Sequence, residues 1–453
     1  MKEANEPIEE PSKKGRLKFY ILSALGILLF LVPIPHGETF NIPIGILIEN
    51  LQNLIGDYLL VPLMLAVVIN AMVTLWTYIA KPKVIMESEA LKASFDTTIL
   101  YVVSRIVGAI IIVMYTFGIG PEMIIGDATG ATMIDLAISL VSVLFVISFA
   151  MPLLTNYGIM EFIGVLISGV VRPLFKLPGR AAINVMTAWL GASNAAVLFT
   201  KQQYDAGHYS DREAGSIMLN FSLVSVPFVY IVADLLNIPE YFTPFYLIIT
   251  LAGIIMAFIM VRIPPVSRLP ETYSDAGQQS NEAVPEGYSK FEYANILAGN
   301  TAEESTWQDS LKQGVNMFTS VIFDLSPIII AWGTIALIFV EFTPIFDIIS
   351  YPMGMYLELF GIEFAYEAAP ATLVGFADMF IPPLILSPLQ APATRFIVGG
   401  ATLLQLIYLT ETGAMMIQSD VSIGFKELLI VFIQRTLLAI PLMVFLTWAF
   451  GIF

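Results

Sequence analysis

Long apolar runs alternate with short polar ones along the chain, and most of the long runs approach the roughly 20 residues a helix needs to cross a bilayer. They predict membrane-spanning helices at about 17–32, 58–79, 98–117, 133–153, 214–236, 244–261, 318–340, 394–417 and 428–448. Four further apolar stretches, 159–175, 181–204, 345–360 and 367–390, are too broken to be ordinary spans. The expected fold class is an all-α polytopic membrane protein.

Charge falls on one side of this pattern. Lys13, Lys14, Arg16 and Lys18 precede the first span, and Lys81, Lys83 and Lys92 follow the second. Arg172, Lys176, Arg180, Lys201, Arg212, Arg262, Arg268 and Lys426 land on the same side. The alternate segments 33–57, 119–132, 235–245 and 342–366 contain no Lys or Arg. The bias predicts a plasma-membrane protein with a cytoplasmic N-terminus and an outward C-terminus.

The expected order is a cytoplasmic tail (1–18), transmembrane helices (19–132), a first repeat (133–262) with a hairpin at 181–204, a cytoplasmic linker (263–314), and a second repeat (315–453) with a hairpin at 367–390. Residues 272–281 of the linker read as a flexible tether. Thr301-Ala-Glu-Glu304 has the capping pattern expected to start a short amphipathic helix. The two repeats agree in order and register. Leu190-Gly-Ala-Ser-Asn194 meets Val374-Gly-Phe-Ala-Asp378, and Arg212 falls opposite Arg395. The first copy opens its small-residue segment on the basic side and the second on the acidic side. That predicts an inverted-topology repeat, with chance alignment of two apolar stretches as the alternative.

A helix that breaks inside a membrane leaves backbone groups unpaired, which is tolerated only beside a cavity or inside protein. Its half-helix N-terminus then favours anionic or hydroxylated solutes. The candidate solute-binding residues are therefore Ser193 and Asn194 at the first break and Asp378 at the second. Asn220 and Ser222 follow on one long helix, and Gln405, Thr410, Glu411 and Thr412 on the other. Asp378 and Glu411 must pair, protonate or face water, because a carboxylate at mid-membrane costs about 3 kcal/mol. The competing reading is that these polar groups only tie helices together. Arg105, inside its span, reads equally as an internal counter-ion or as a snorkelling side chain.

Composition narrows the function. Hydrophobic residues are 57% and charged residues 13% of 453 positions, which excludes a soluble globular chain. A net charge of −16 argues against nucleic acid as a partner. The chain has no cysteine, and His36 and His208 lack ligand spacing, so no metal site is expected. It has no GxxxxGK[ST] loop. Tyr204-Asp205 and Gly375-Phe-Ala-Asp378 do not have the spacing or depth of an intramembrane aspartyl protease. The expectation is a transporter rather than an enzyme, with no cofactor beyond a coupling Na⁺ or H⁺.

The doubled hairpin pattern resembles the Gate-domain (nucleoside-recognition) membrane proteins, and within them the YjiH-like branch. The likeness is carried by Glu367-Ala-Ala-Pro-Ala-Thr-Leu-Val-Gly-Phe-Ala-Asp-Met-Phe-Ile-Pro-Pro383, Ala393-Thr-Arg-Phe-Ile-Val398 and Tyr408-Leu-Thr-Glu-Thr-Gly413. It runs from about Tyr20 to the C-terminus. Related proteins are concentrative nucleoside transporters, the membrane parts of ferrous-iron transporters and spore maturation proteins. The resemblance implies two hairpins meeting at a solute site in an elevator-type carrier. It names no substrate. A nucleoside, an amino acid and a dipeptide all remain candidates. Candidate partners are the solute, the lipid bilayer, and a second copy of the chain or a second Gate-domain protein. The alternative function is a non-transporting Gate-domain subunit of a complex. The GTPase domain of the iron transporters has no counterpart here, so that activity is not expected.

Overall fold

The computed structural model describes residues 10–36, 39–190, 193–221, 226–278, 287–417 and 419–453. Among them, six helices are long and apolar enough to cross a membrane: Leu60–Ala80, Ile99–Phe117, Glu122–Thr155, Pro239–Met260, Trp307–Phe342 and Phe425–Ala449. Among the described residues the regular elements are helices and one short antiparallel strand pair, Ile34–His36 with Thr39–Asn41. The expected span at 17–32 is not one of the six. Its helix, Lys13–Leu31, begins inside the basic cluster, which leaves a shorter apolar stretch.

The helices fall into two compact units whose boundaries do not follow chain order. One holds residues 1–43, 151–307 and 350–453, and the other 44–150 and 308–349. The opening helix of each expected repeat, within 132–150 and 308–342, belongs to the smaller unit, while the residues after 150 in the first repeat and after 349 in the second belong to the larger.

In the smaller unit, Leu63, Val67, Ala71, Ile112, Ile134, Ala137 and Ile330 form one buried core. Helix Ile99–Phe117 comes so close to 326–328 that a Cβ on Gly108 would lie 2.3 Å from the Pro327 carbonyl oxygen. Arg105 does not snorkel. Its Nη2 donates to Asp324 Oδ1 at 2.6 Å, and its Nη1 to Thr74 Oγ1 at 2.7 Å and to the Ser94 carbonyl at 2.9 Å. Two π-turns, Val321–Leu325 and Ile329–Gly333, flank 326–328, and the first carries Asp324.

In the larger unit, the core draws Ala181, Val185, Val197, Ile217, Phe221, Met260, Ile407, Met416, Val431 and Phe432 together. The helix expected to start at Thr301 instead ends there. It spans Lys290–Glu304, and its N-terminal capping box is Ser289 with Glu292. It packs on Lys13–Leu31 and Ile159–Phe175 through buried Ala294, Ala298 and Ala302. A positive φ of 92° at Gly158 lets the chain turn against the Ala298 carbonyl. The tether expected at 272–281 is pinned at its start, because Asp211 N donates to Thr272 O at 2.8 Å and Arg212 N to Pro270 O at 2.9 Å. Residues 279–281 lie outside the described part.

Candidate functional site

Helices Ala181–Leu190 and Ser193–Asp205 are folded back on each other. Asn184 Nδ2 donates to Thr200 Oγ1 at 3.4 Å, and Arg180 Nη2 to Gln203 Oε1 at 2.9 Å. In one continuous helix the first pair would be about 24 Å apart. The second doubled segment is Ala365–Val374 and Ile381–Leu386, joined by a tip at 375–380. Asp378 is buried in that tip, and its Oδ1 accepts from Phe380 N at 2.8 Å, so the carboxylate organises the turn.

Both segments reach the same stretch of chain. The Phe376 carbonyl accepts from Leu409 N at 2.8 Å, and helix Ser193–Asp205 packs on 409–417. That stretch follows a break. The run expected as one span at 394–417 is helical over Pro392–Leu403 and then unwinds through 404–408, where Leu406 has a φ of 61°. Unwinding strands carbonyls that a membrane cannot hydrate, and side chains take them up. Tyr408 Oη donates to Thr402 O at 3.3 Å and Leu403 O at 3.1 Å, and Thr412 Oγ1 to Leu406 O at 3.2 Å. The Leu404 carbonyl accepts from Arg435 Nε at 2.7 Å. The other expected long helix, 214–236, is described as Asp211–Phe221 and Val226–Leu235.

Arg435 and Thr436, from helix Phe425–Ala449, join the parts. Arg435 is fully buried, and its Nη1 donates to Asn220 Oδ1 at 3.0 Å. Asn220 Nδ2 donates to its own helix at Ser216 O, 3.1 Å away. Gln405 Nε2 donates to Thr372 O in the second doubled segment at 2.7 Å and to Thr436 Oγ1 at 2.9 Å. Three helices and the 404–408 break therefore converge on one buried polar cluster. Arg435 Nη2 and Gln405 Oε1 within it are buried and have no hydrogen-bond partner among the described residues.

Of the sequence-predicted residues, Asn220 and Gln405 come together in this cluster through Arg435 and Thr436. Asp378 sits at the tip whose carbonyl binds Leu409, and Thr412 lies on the segment after it. Ser222 lies outside the described residues, as do the side chains of Ser193, Asn194, Thr410 and Glu411. Sequence reasoning missed Arg435, although a lone ionisable residue inside an apolar span is a signal in its own right. A separate polar cleft of about 570 Å³, lined by Lys176, Arg212, Glu213, Glu271 and Tyr273, contains none of the predicted site residues.

Residues 137–239 match the model of the Gate family, described as nucleoside recognition. An uncharacterised protein of Alkalihalophilus pseudofirmus is 39% identical over 445 residues, 98% of this chain and 96% of that protein. Among solved structures, a CNTnw variant in its intermediate 1 state is similar over 95% of this chain and 98% of its own, with 14% identity and a TM-score of 0.40. The same variant in its intermediate 2 state is similar over 96% of this chain and 98% of its own, with 12% identity and a TM-score of 0.41. The chain belongs to the family of the A. pseudofirmus protein, and its residues 137–239 carry the Gate match.

Proposed function

We propose that this protein is a secondary transporter of a small polar solute across the plasma membrane, and that the buried cluster of Asn220, Gln405, Arg435 and Thr436 is its solute site. One observation carries the reading. A membrane-embedded polar cluster is built where a helix unwinds and a doubled-back segment ends, and it retains an unpartnered donor and an unpartnered acceptor. The cluster also buries a guanidinium that meets only neutral acceptors among the described residues, whereas the other deeply buried arginine, Arg105, has the carboxylate of Asp324. The Gate match over 137–239 supports the same reading. The motifs at 367–383 and 408–413 support the YjiH-like branch.

In this reading the N-terminus is cytoplasmic, and 181–204 and 367–390 enter and leave the membrane on opposite sides as an inverted repeat. Asp378 or Glu411 couples transport to Na⁺ or H⁺, and Ser193, Asn194, Ser222, Thr410 and Thr412 line the path. The second reading, a Gate-domain subunit that acts with a second copy or a second membrane protein, differs in one outcome. Purified protein alone in liposomes should exchange solute. Counterflow of radiolabelled uridine, alanine and glycylglycine tests this. Exchange of any one above empty liposomes supports the transporter, and exchange of none supports the subunit.

A further inference from the structure

Arg435 is the member of the cluster that internal pairing does not account for. The chain holds two deeply buried arginines, and they are treated differently. Arg105 has a carboxylate, Asp324, at 2.6 Å. Arg435 is 0% exposed, yet among the described residues no carboxylate pairs with it. Its Nε and Nη1 are spent on the Leu404 carbonyl and the Asn220 amide oxygen, both neutral acceptors, and Nη2 is left with none.

Capping a broken helix does not require a guanidinium. Tyr408 caps two carbonyls of the same break with a hydroxyl. A buried cation without a counter-charge is strongly disfavoured, and the deficit is relieved when an anion arrives. A guanidinium is also well matched to a carboxylate, because it stays charged and its Nη2 N–H groups, held in place by the bonds of Nε and Nη1, make charge-assisted hydrogen bonds. Gln405, one residue after Leu404 and bonded to the Thr436 next to Arg435, adds the unpartnered acceptor Oε1. A solute that carries a carboxylate and an N–H group would satisfy both.

We infer that Arg435 Nη2 is the subsite for a solute carboxylate, so that the transported molecule is an amino acid or short peptide and not an uncharged nucleoside. This rests on the transporter reading of the same cluster. It makes Arg435 a binding residue, with Asn220 holding the guanidinium in place and Gln405 receiving the solute's N–H.

The test uses the full-length protein in detergent and needs no variant for its first arm. Thermal stabilisation is measured with alanine, glycylglycine, N-acetylalanine and benzoate, each against its own primary amide, and with uridine. The expected result is that at least one carboxylate raises the melting temperature and its amide does not. Equal responses to acid and amide, a response to uridine alone, or no response at all would overturn the subsite, the last leaving a buried water as the partner of Nη2. In the second arm, Arg435→Lys should weaken the responding carboxylate by about tenfold or more, because a charge stays while the Nη2 donors that Leu404 and Asn220 hold in place are lost. Unchanged affinity in a folded Arg435→Lys variant would also overturn it. Counterflow separates the subsite from the transport activity. Exchange of uridine without carboxylate preference removes the subsite and keeps the transporter, whereas carboxylate binding without any exchange keeps the subsite and removes the transporter.

Discussion

Gly375→Ala probes the packing of the candidate site through a single methyl group. Gly375 has φ −53° and ψ −24°, which any L residue adopts, so the substitution carries no backbone strain. Its cost is steric. An added Cβ would lie 2.1 Å from Gln405 Oε1, and ordinary contact begins at 3.4 Å. Gln405 would have to withdraw by more than an ångström, and its Nε2 bonds to Thr372 O and Thr436 Oγ1, at 2.7 and 2.9 Å, would open. Two hydrogen bonds between membrane helices are worth about 0.6 kcal/mol each. The overpacking adds about 1–3 kcal/mol. The sum is a loss of about 2–4 kcal/mol, measured by reversible unfolding in detergent. A double-mutant cycle isolates the mechanism. In a Gln405→Ala background the obstacle is gone, and Gly375→Ala should be neutral or slightly stabilising. A full penalty in that background would refute the packing argument. So would a Gly375→Ala variant as stable as wild type.

Asp324→Ala should destabilise the smaller unit by about 1–3 kcal/mol, below the cost of breaking a fully buried pair, because the aspartate side chain is 41% exposed. Thr74 and Ser94 still hold Arg105, and a melting curve reads the loss. Glu303, outside the spans, has its pKa lowered from the ordinary 4.5 by the Ser12 backbone N–H, which donates to it at 2.8 Å. The stabilisation it contributes is complete above the unfolded-state pKa and is lost as pH falls through the lowered folded value. Hydrogen exchange at the start of helix Lys13–Leu31 should therefore be slower in wild type than in Glu303→Gln at neutral pH, and the two should converge in acid. An impermeant maleimide added to intact cells should label Asp347→Cys and not Asp275→Cys, and the reverse would invert the topology.

Much of this architecture is legible in the chain. The runs at 181–204 and 367–390 mark interrupted segments because their small residues and prolines are clustered mid-run between polar ends, whereas a single proline, such as Pro441 in Phe425–Ala449, leaves a helix unbroken. The Lys/Arg bias separates loops from spans. Three features escape such reading. Arg435 hides in 428–448 because a single charge barely alters the apolarity of a whole span, and its burial depends on helices more than 200 residues away in sequence, as its Asn220 partner shows. Helix Lys290–Glu304 is disguised by two successive capping signals, Ser289-x-x-Glu292 and Thr301-x-x-Glu304, of which only the first is followed by buried apolar positions, Ala294, Ile296 and Ala298. The division into two units is a matter of non-local packing. Helices 132–150 and 307–342 look like the first members of their repeats, yet their buried residues Ile134, Ala137 and Ile330 share a core with Leu63 and Ile112.

The sharpest test of the transporter reading is solute uptake into proteoliposomes by Asp378→Asn and Glu411→Gln beside wild type. Both substitutions remove a charge and keep volume, and an asparagine at 378 keeps an oxygen for the Phe380 amide at the hairpin tip. Both variants should insert, melt near the wild-type temperature and lose uptake. Wild-type uptake in both would contradict the coupling role of the two carboxylates, and no uptake by the wild type itself would contradict the transporter reading.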